Sequence, residues 1–219
     1  MRAGINKTDY VLWSFIAIYT GIIYATLSLV SKIRKVLAEK YGVGVFNNIY
    51  WIFILAGAGV LVWCCIRFKG IKRLKAVGAF IVIGSIYTYY LTTLTYAVEK
   101  IHFVEYGLLA LLVGIAVTRH IPAWPGTGIA LCIVFWIGLG DETIQWALPN
   151  RVGEIRDSIT NLISGALGIS LLPMLRSPRT AAVSIPAGHV RAFIASIGTT
   201  VIFTALFLLR VHGFGHVVE

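Results

Sequence analysis

The residues best suited to chemistry are gathered in one stretch of the chain, from Glu99 to Gly168. Six of the nine acidic residues fall there, and they are Glu99, Glu105, Asp141, Glu142, Glu154 and Asp157. They are accompanied by His102, whose imidazole side chain exchanges protons near neutral pH. Since a histidine beside carboxylates can act as a general base and acid, function is sought first in this stretch.

The segment "EKIHFVEYG" presents its polar side chains on one face of a helix. At 100° per residue, Glu99, His102 and Tyr106 fall within about 60° of one another. Glu105 lies at the edge of the same stripe. The spacing therefore predicts a polar face at the start of a helix.

Two later segments repeat the pattern. In "DETIQWALPNR", Glu142 and Gln145 are three residues apart, and in "RDSITNLISGALG", Asp157 and Asn161 are four apart. These spacings place the two members of each pair on one side of a helix. Because polar side chains that face lipid are costly, we expect the three stripes to face one another.

These positions supply the candidate site. Candidate catalytic roles in proton transfer fall to His102, Glu142 and Asp157. Candidate substrate-binding roles fall to Arg151, Gln145, Asn161 and Tyr106. The alternative for the whole set is a polar network that only holds helices together.

Arg151 has two interpretations of equal weight. Its guanidinium could hold an anionic head group or a pyrophosphate through two parallel hydrogen bonds. It could instead form a salt bridge with Asp157 or Glu154. The sequence contains no HExxH, no Gly-x-Ser-x-Gly, no phosphate-binding glycine loop and no complete metal-ligand set. It therefore predicts no metal and no cofactor, and it leaves the type of reaction open.

The composition shows what must position these residues. The 219 residues are 58% hydrophobic and 13% charged, with a mean hydropathy of +0.85, whereas a soluble domain is about a quarter charged. The net charge of +10 is spread over short clusters beside apolar runs. We therefore interpret the basic residues as topology signals and contacts to anionic lipids, and we predict no nucleic-acid partner.

The apolar runs predict an all-α transmembrane helix bundle of about seven spans. The spans are expected at residues 11–30, 49–66, 76–97, 101–118, 126–148, 157–175 and 190–209. The amphipathic residues 31–48 predict a short interfacial helix between the first two spans. Gly165 and Gly168, with Ser164, would allow the sixth span to approach its neighbours closely.

With seven spans, the two chain ends lie on opposite sides of the membrane. The side that holds the N-terminus collects 11 of the 19 Lys and Arg residues, and the other side collects 8. The positive-inside rule then favours a cytoplasmic N-terminus. On this topology His102, Glu142 and Asp157 all lie at the outer face, where we expect them to converge on one pocket.

In order and spacing, these residues resemble the VanZ-like family. The motif residues are Glu99, Lys100, His102 and Tyr106, then Glu142, Gln145, Pro149 and Arg151, then Asp157, Asn161, Gly165 and Gly168. The resemblance implies a four-span VanZ-like core at residues 76–176. It leaves a two-span extension with an interfacial helix at 1–75, and a loop with a C-terminal span at 177–219.

The family is named for a protein associated with resistance to the glycopeptide teicoplanin, and its members resemble proteins of the cell envelope. The resemblance thus implies a bacterial inner (plasma) membrane, and it implies no particular reaction. The first hypothesis is that the polar site binds or processes an envelope lipid-linked or anionic lipid substrate.

Two further functions stay open. An accessory subunit would use its polar stripes to lock helices and would dock onto a larger membrane complex. A proton-coupled carrier would use the His and carboxylates as a relay, but the polar groups cluster at one face and no inverted repeat is visible. The expected partners are membrane lipids and, for the accessory subunit, a membrane-protein complex.

Overall fold

The structure, a computed structural model, describes residues 6–42, 55, 57–63, 65–94, 97–121, 123–148, 152–175, 185–211 and 214. The regular elements in these ranges are helices. They are α1 (Lys7–Tyr41), α2 (Gly70–Thr93), α3 (Ala97–Val117), α4 (Ala123–Ala147), α5 (Ile155–Ile169), α6 (Leu172–Leu175) and α7 (Ala187–Arg210). A shorter apolar helix covers Gly57–Arg67. The prediction of an all-α fold is confirmed.

Five helical segments are long and apolar enough to cross a membrane. They are Lys7–Leu27, Gly70–Thr93, Glu99–Val117, Trp124–Ala147 and Ala187–Arg210. A helix of 24 residues, such as α2, is about 36 Å long, which exceeds the roughly 30 Å of hydrocarbon in a bilayer. The chain is a polytopic membrane protein, as its hydropathy predicted.

The first helix is longer than the predicted span. α1 continues without a break to Tyr41, whereas the sequence predicted a span to Val30 and then a separate interfacial helix. Between Leu27 and Tyr41 the chain has no Gly or Pro to stop a helix. Gly42 follows with φ of 75°, a conformation that ends helices and suits glycine.

The predicted span at 157–175 is divided. α5 has 15 residues, or about 22 Å of helix, and a turn at Ser170 and Leu171 separates it from the four-residue α6. α5 also buries mainly small and polar residues, namely Ser158, Asn161, Ser164, Gly165, Gly168 and Ile169. It is therefore an inner helix of the bundle. Of the predicted span at 49–66, residues 49–54 lie outside the described ranges.

Backbone contacts divide the chain into two compact units. The first unit contains Met1–Leu27 and His102–Glu219, and the second contains Ser28–Ile101. In the second unit, α2 buries Ala76 and Leu91.

In the first unit, α1 runs antiparallel to α3. Near the start of α1, Asp9 forms an ion pair with Arg119, whose Nε lies 3.0 Å from Asp9 Oδ1. Arg119 lies just beyond the end of α3. Further along, the Tyr19 hydroxyl donates to the carbonyl of Glu105, near the start of α3, at 3.4 Å. His120 Nε2 lies 3.4 Å from the second Asp9 oxygen. One end of the bundle is thus tied by a buried aspartate.

Close packing of α3 against α5 depends on glycine. A Cβ added at Gly168 would overlap the Gly107 carbonyl oxygen and lie 2.8 Å from the Gly107 Cα. One turn earlier, the Ser164 hydroxyl donates to the carbonyl of Phe103. These contacts make α3 and α5 parallel neighbours, and the close approach expected for Ser164 and Gly168 is present.

Aromatic contacts pack α7 along α4. Trp124 and Phe193 meet edge to face with ring centroids 5.1 Å apart. Trp136 donates from Nε1 to the Thr200 hydroxyl at 3.0 Å and meets Phe203 at 6.2 Å. Residue numbers rise together along both helices, so α4 and α7 run parallel.

Candidate functional site

In the C-terminal half of α4, polar side chains point into the interior of the first unit. Gly138, Asp141 and Gln145 follow spacings of three and four residues, which align them on one side of the helix. Asp141 is fully buried, Glu142 is 2% exposed and Gln145 is 8% exposed. Since such groups are costly in an apolar interior, each needs polar contacts inside the protein.

Tyr106 of α3 and Asp141 of α4 form a buried pair. The Tyr106 hydroxyl donates to Asp141 Oδ2 at 3.0 Å, and both side chains are fully buried. Nearby, the Tyr24 hydroxyl of α1 donates to the Ile137 carbonyl at 2.7 Å. Hydroxyl groups from two helices therefore bind the same part of α4.

Glu142 connects α4 to the start of α5. Its Oε1 accepts from Gln145 Nε2 at 3.1 Å, and its Oε2 accepts from the backbone N–H of Glu154 at 3.1 Å. Glu154 is the N-cap residue of α5. The carboxylate thus satisfies a backbone donor at the positive end of α5.

Gly153 makes this approach possible. A Cβ at Gly153 would overlap the Glu142 carbonyl oxygen and lie 2.7 Å from the Trp146 Cβ. The loop before α5 can therefore pack directly on the last turns of α4. This packing brings the Glu154 backbone N–H within reach of the Glu142 carboxylate.

Asn161 joins the same buried region from α5. A Cβ at Gly138 would lie 3.5 Å from Tyr106 Cε1 and 3.5 Å from the Asn161 Cβ. Asn161 is 4% exposed. A methyl group at Gly138 would be in ordinary van der Waals contact with both residues, so Tyr106 and Asn161 both lie close to α4 at this position.

His102 lies near the start of α3, one helical turn before Tyr106. Its Nδ1 lies 3.1 Å from Glu105 Oε2, and the two side chains are 13% and 24% exposed. The separation suits an ion pair when the imidazole is protonated, although the atoms are not aligned as in a hydrogen bond. A carboxylate at this distance orients the imidazole ring.

Asp157 lies in the first turn of α5 and is half-buried. It is one helical turn from Asn161, on the side of α5 that faces the bundle. Arg151 and Pro149 lie outside the described residues. The convergence of His102, Glu142 and Asp157 on one pocket stays a prediction.

The structure therefore brings four of the predicted residues into one continuous buried region. This polar core consists of Tyr106, Asp141, Glu142, Gln145 and Asn161. Asp141 was not among the predicted site residues, although its position between Gly138 and Gln145 on one helical face was a usable signal. Tyr24 had no such signal, because it is 113 residues from its acceptor. Among the described residues, no three His, Cys, Asp or Glu side chains are grouped as metal ligands.

A comparison with known protein families agrees with the family resemblance of the motif residues. The VanZ/LLP1 family model matches residues 6–176. The chain belongs to the VanZ/LLP1 family. The match begins in α1, so it also includes residues that the sequence assigned to an N-terminal extension. No curated protein and no solved structure matches the chain significantly.

Proposed function

We propose that this VanZ/LLP1 protein binds, and through His102 processes, the polar head group of an envelope lipid that is anionic or lipid-linked. The pairing of His102 with Glu105 carries the proposal. A partly exposed histidine held by a carboxylate can exchange protons with a bound group. We further propose that the protein lies in a bacterial inner membrane with its N-terminus in the cytoplasm, so that the site faces outward.

The polar core supports this proposal because burying carboxylates in a membrane protein costs free energy. Carboxylates inside a membrane bundle are expensive and mark functional regions by default. Asp141 and Glu142 are both buried within one helical segment. A polar core next to a partly exposed histidine could accept the polar part of a lipid while its chains stay in the membrane.

Within the proposal, the residues have separate tasks. His102 and Asp157 transfer protons, and Arg151 holds phosphate oxygens through its planar guanidinium. Tyr106, Gln145 and Asn161 contact the polar group. Glu142 contributes charge near the site, since its two oxygens already accept hydrogen bonds from Gln145 and Glu154.

A second candidate function is that of an accessory subunit. The observation that favours it is the bonding of Glu142 across two helices. A carboxylate used in this way stabilises the bundle and has no need of a substrate. In that case a stoichiometric membrane partner should co-purify with the protein.

The test uses the full chain in nanodiscs of phosphatidylcholine that contain a polyprenyl phosphate as the probe. Native mass spectrometry measures the retained lipid and any change in its mass. His102→Ala should stay folded and retain lipid but lose the mass change, whereas Arg151→Ala should lose retention severely and Arg151→Lys partially. His189→Ala, a histidine of α7, is the matched control and should behave as the unmodified protein.

Folded yield and thermal stability are measured on the same samples. If His102→Ala and Glu142→Gln lose folded protein in step with lipid retention, the polar residues are structural and the accessory role is favoured. If the unmodified protein does not retain the polyprenyl phosphate, the proposed function is wrong.

A further inference from the structure

Five basic residues surround the start of α2. The basic patch consists of Arg67, Lys69, Lys72, Arg73 and Lys75. No acidic residue occurs between Glu39 and Glu99. The sequence near the patch therefore provides no opposite charge to neutralise it.

The side chains of the basic patch are all exposed. Within the part of the chain that the structure describes, no ion pair involves the patch. Five like charges in nine positions repel one another unless counter-ions or a ligand compensate them. The patch thus favours an anionic partner.

The backbone holds the patch in a compact turn. Gly70, the first residue of α2, has φ of 54°, a conformation that suits glycine. Arg73 Nε donates to the Phe68 carbonyl at 2.9 Å, which ties its guanidinium back over the turn. Lys69, the N-cap residue, makes no side-chain cap, and the first turn of α2 has no acidic residue. The positive end of the helix adds to the charge.

Apolar residues are interleaved with the patch. Ile71 and Leu74 are exposed between the basic positions, and α2 itself is apolar and long enough to cross a membrane. Basic side chains on such a helix reach the head-group layer while their stems stay in contact with lipid tails. The patch therefore lies where a membrane helix meets phosphate groups.

We propose that the basic patch binds the phosphate groups of anionic phospholipids in the leaflet where α2 begins. Juxtamembrane clusters of Lys and Arg are attracted to such lipids. This site shares no residue with the one that contains His102. The two proposals can therefore fail independently.

The test compares lipid preference in nanodiscs of mixed phosphatidylglycerol and phosphatidylcholine, with native mass spectrometry of the retained lipids. The variant K69Q/K72Q/K75Q should lose its preference for phosphatidylglycerol by at least about tenfold. The variant K7Q/R191Q/R210Q removes the same charge from exposed positions elsewhere and should keep most of the preference.

Two further measurements distinguish the loss of charge from misfolding of the variant. Replacing the same three lysines by arginine should keep the preference, because the charge is kept. Raising salt from about 0.1 M to about 1 M shortens the screening length from roughly 10 Å to 3 Å and should reduce the preference of the unmodified protein. An unchanged preference in the glutamine variant, equal losses in both charge variants, or no response to salt would overturn the proposal.

Discussion

The hydrogen bond between Tyr106 and Asp141 is buried at both ends, so its loss is expected to be costly. Tyr106→Phe removes the hydroxyl and keeps the ring that lies next to Gly138. The free energy of unfolding should fall by about 1–3 kcal/mol, because a buried carboxylate loses a donor. Unfolding in detergent measures it, with Tyr10→Phe, at a position 63% exposed, as a control that should change little.

A double-mutant cycle isolates this bond from the rest of the polar core. Tyr106→Phe and Asp141→Asn should be less destabilising together than the sum of the single changes, since either one already removes the native pair. Additive effects would mean that the two side chains are not coupled, and the assignment of Asp141 to the polar core would then lose its support.

Spacing in the sequence was sufficient to predict contacts between residues that lie on the same helix. Glu142 and Gln145, three residues apart, do form a hydrogen bond. Tyr106 and Asn161 also both lie next to Gly138, as expected from facing stripes. The cap that Glu142 provides for α5 could not be predicted, because it depends on how the loop at Gly153 folds back on Trp146.

At the scale of helices, the contact between α3 and α5 rests on Gly168. Gly168→Ala places a methyl group on the Gly107 backbone, which cannot move as a side chain can. The free energy of unfolding should fall by about 1–3 kcal/mol or more, as in other overpacked cores. Thermal stability in detergent measures the effect.

Gly198→Ala is the matched control for Gly168→Ala. Gly198 lies within α7 and has no atom within 4 Å of an added Cβ. Alanine there should be neutral or slightly stabilising, because it favours the helix more than glycine does. Equal losses for the two variants would show that close packing at Gly168 is not what stabilises the contact.

The helices themselves were largely predictable, and their lengths were less so. Apolar runs of about 20 residues located the membrane helices, because only helices satisfy their backbone within lipid. Hydropathy does not report where a helix ends once its residues turn polar, so the continuation of α1 to Tyr41 was missed. It also counted α5 and α6 as one span, although Pro173 in α6 has no N–H to bond the Ile169 carbonyl and so continue α5 through the turn at Ser170 and Leu171.

At the scale of the whole molecule, helix directions restrict the number of membrane crossings. α1 and α3 run antiparallel in the first unit, from the contacts at Asp9 and Tyr19. An even number of crossings must then join Leu27 to His102. α2 supplies one crossing, and the predicted span at 49–66 would supply the second. The count of seven spans satisfies this requirement.

The same directions predict which chain segments share a side of the membrane. α7 runs parallel to α4, and α4 begins after the turn that Asp9 contacts through Arg119. Lys7 and Gly188 should therefore lie on one side, and Arg156, in the first turn of α5, on the other. Single cysteines at these positions, in a chain lacking Cys64, Cys65 and Cys132, can be labelled with a membrane-impermeant maleimide.

With a cytoplasmic N-terminus, Arg156→Cys should react in intact cells, whereas Lys7→Cys and Gly188→Cys should react only after permeabilisation. The reverse labelling pattern would agree with the relative directions of the helices but would invert the protein in the membrane. The His102 site would then lie at the cytoplasmic face. Labelling of Lys72→Cys and Lys100→Cys from the same side would be more serious. It would mean that α2 does not cross the membrane between these positions, and the even number of crossings would have to come from elsewhere in the chain.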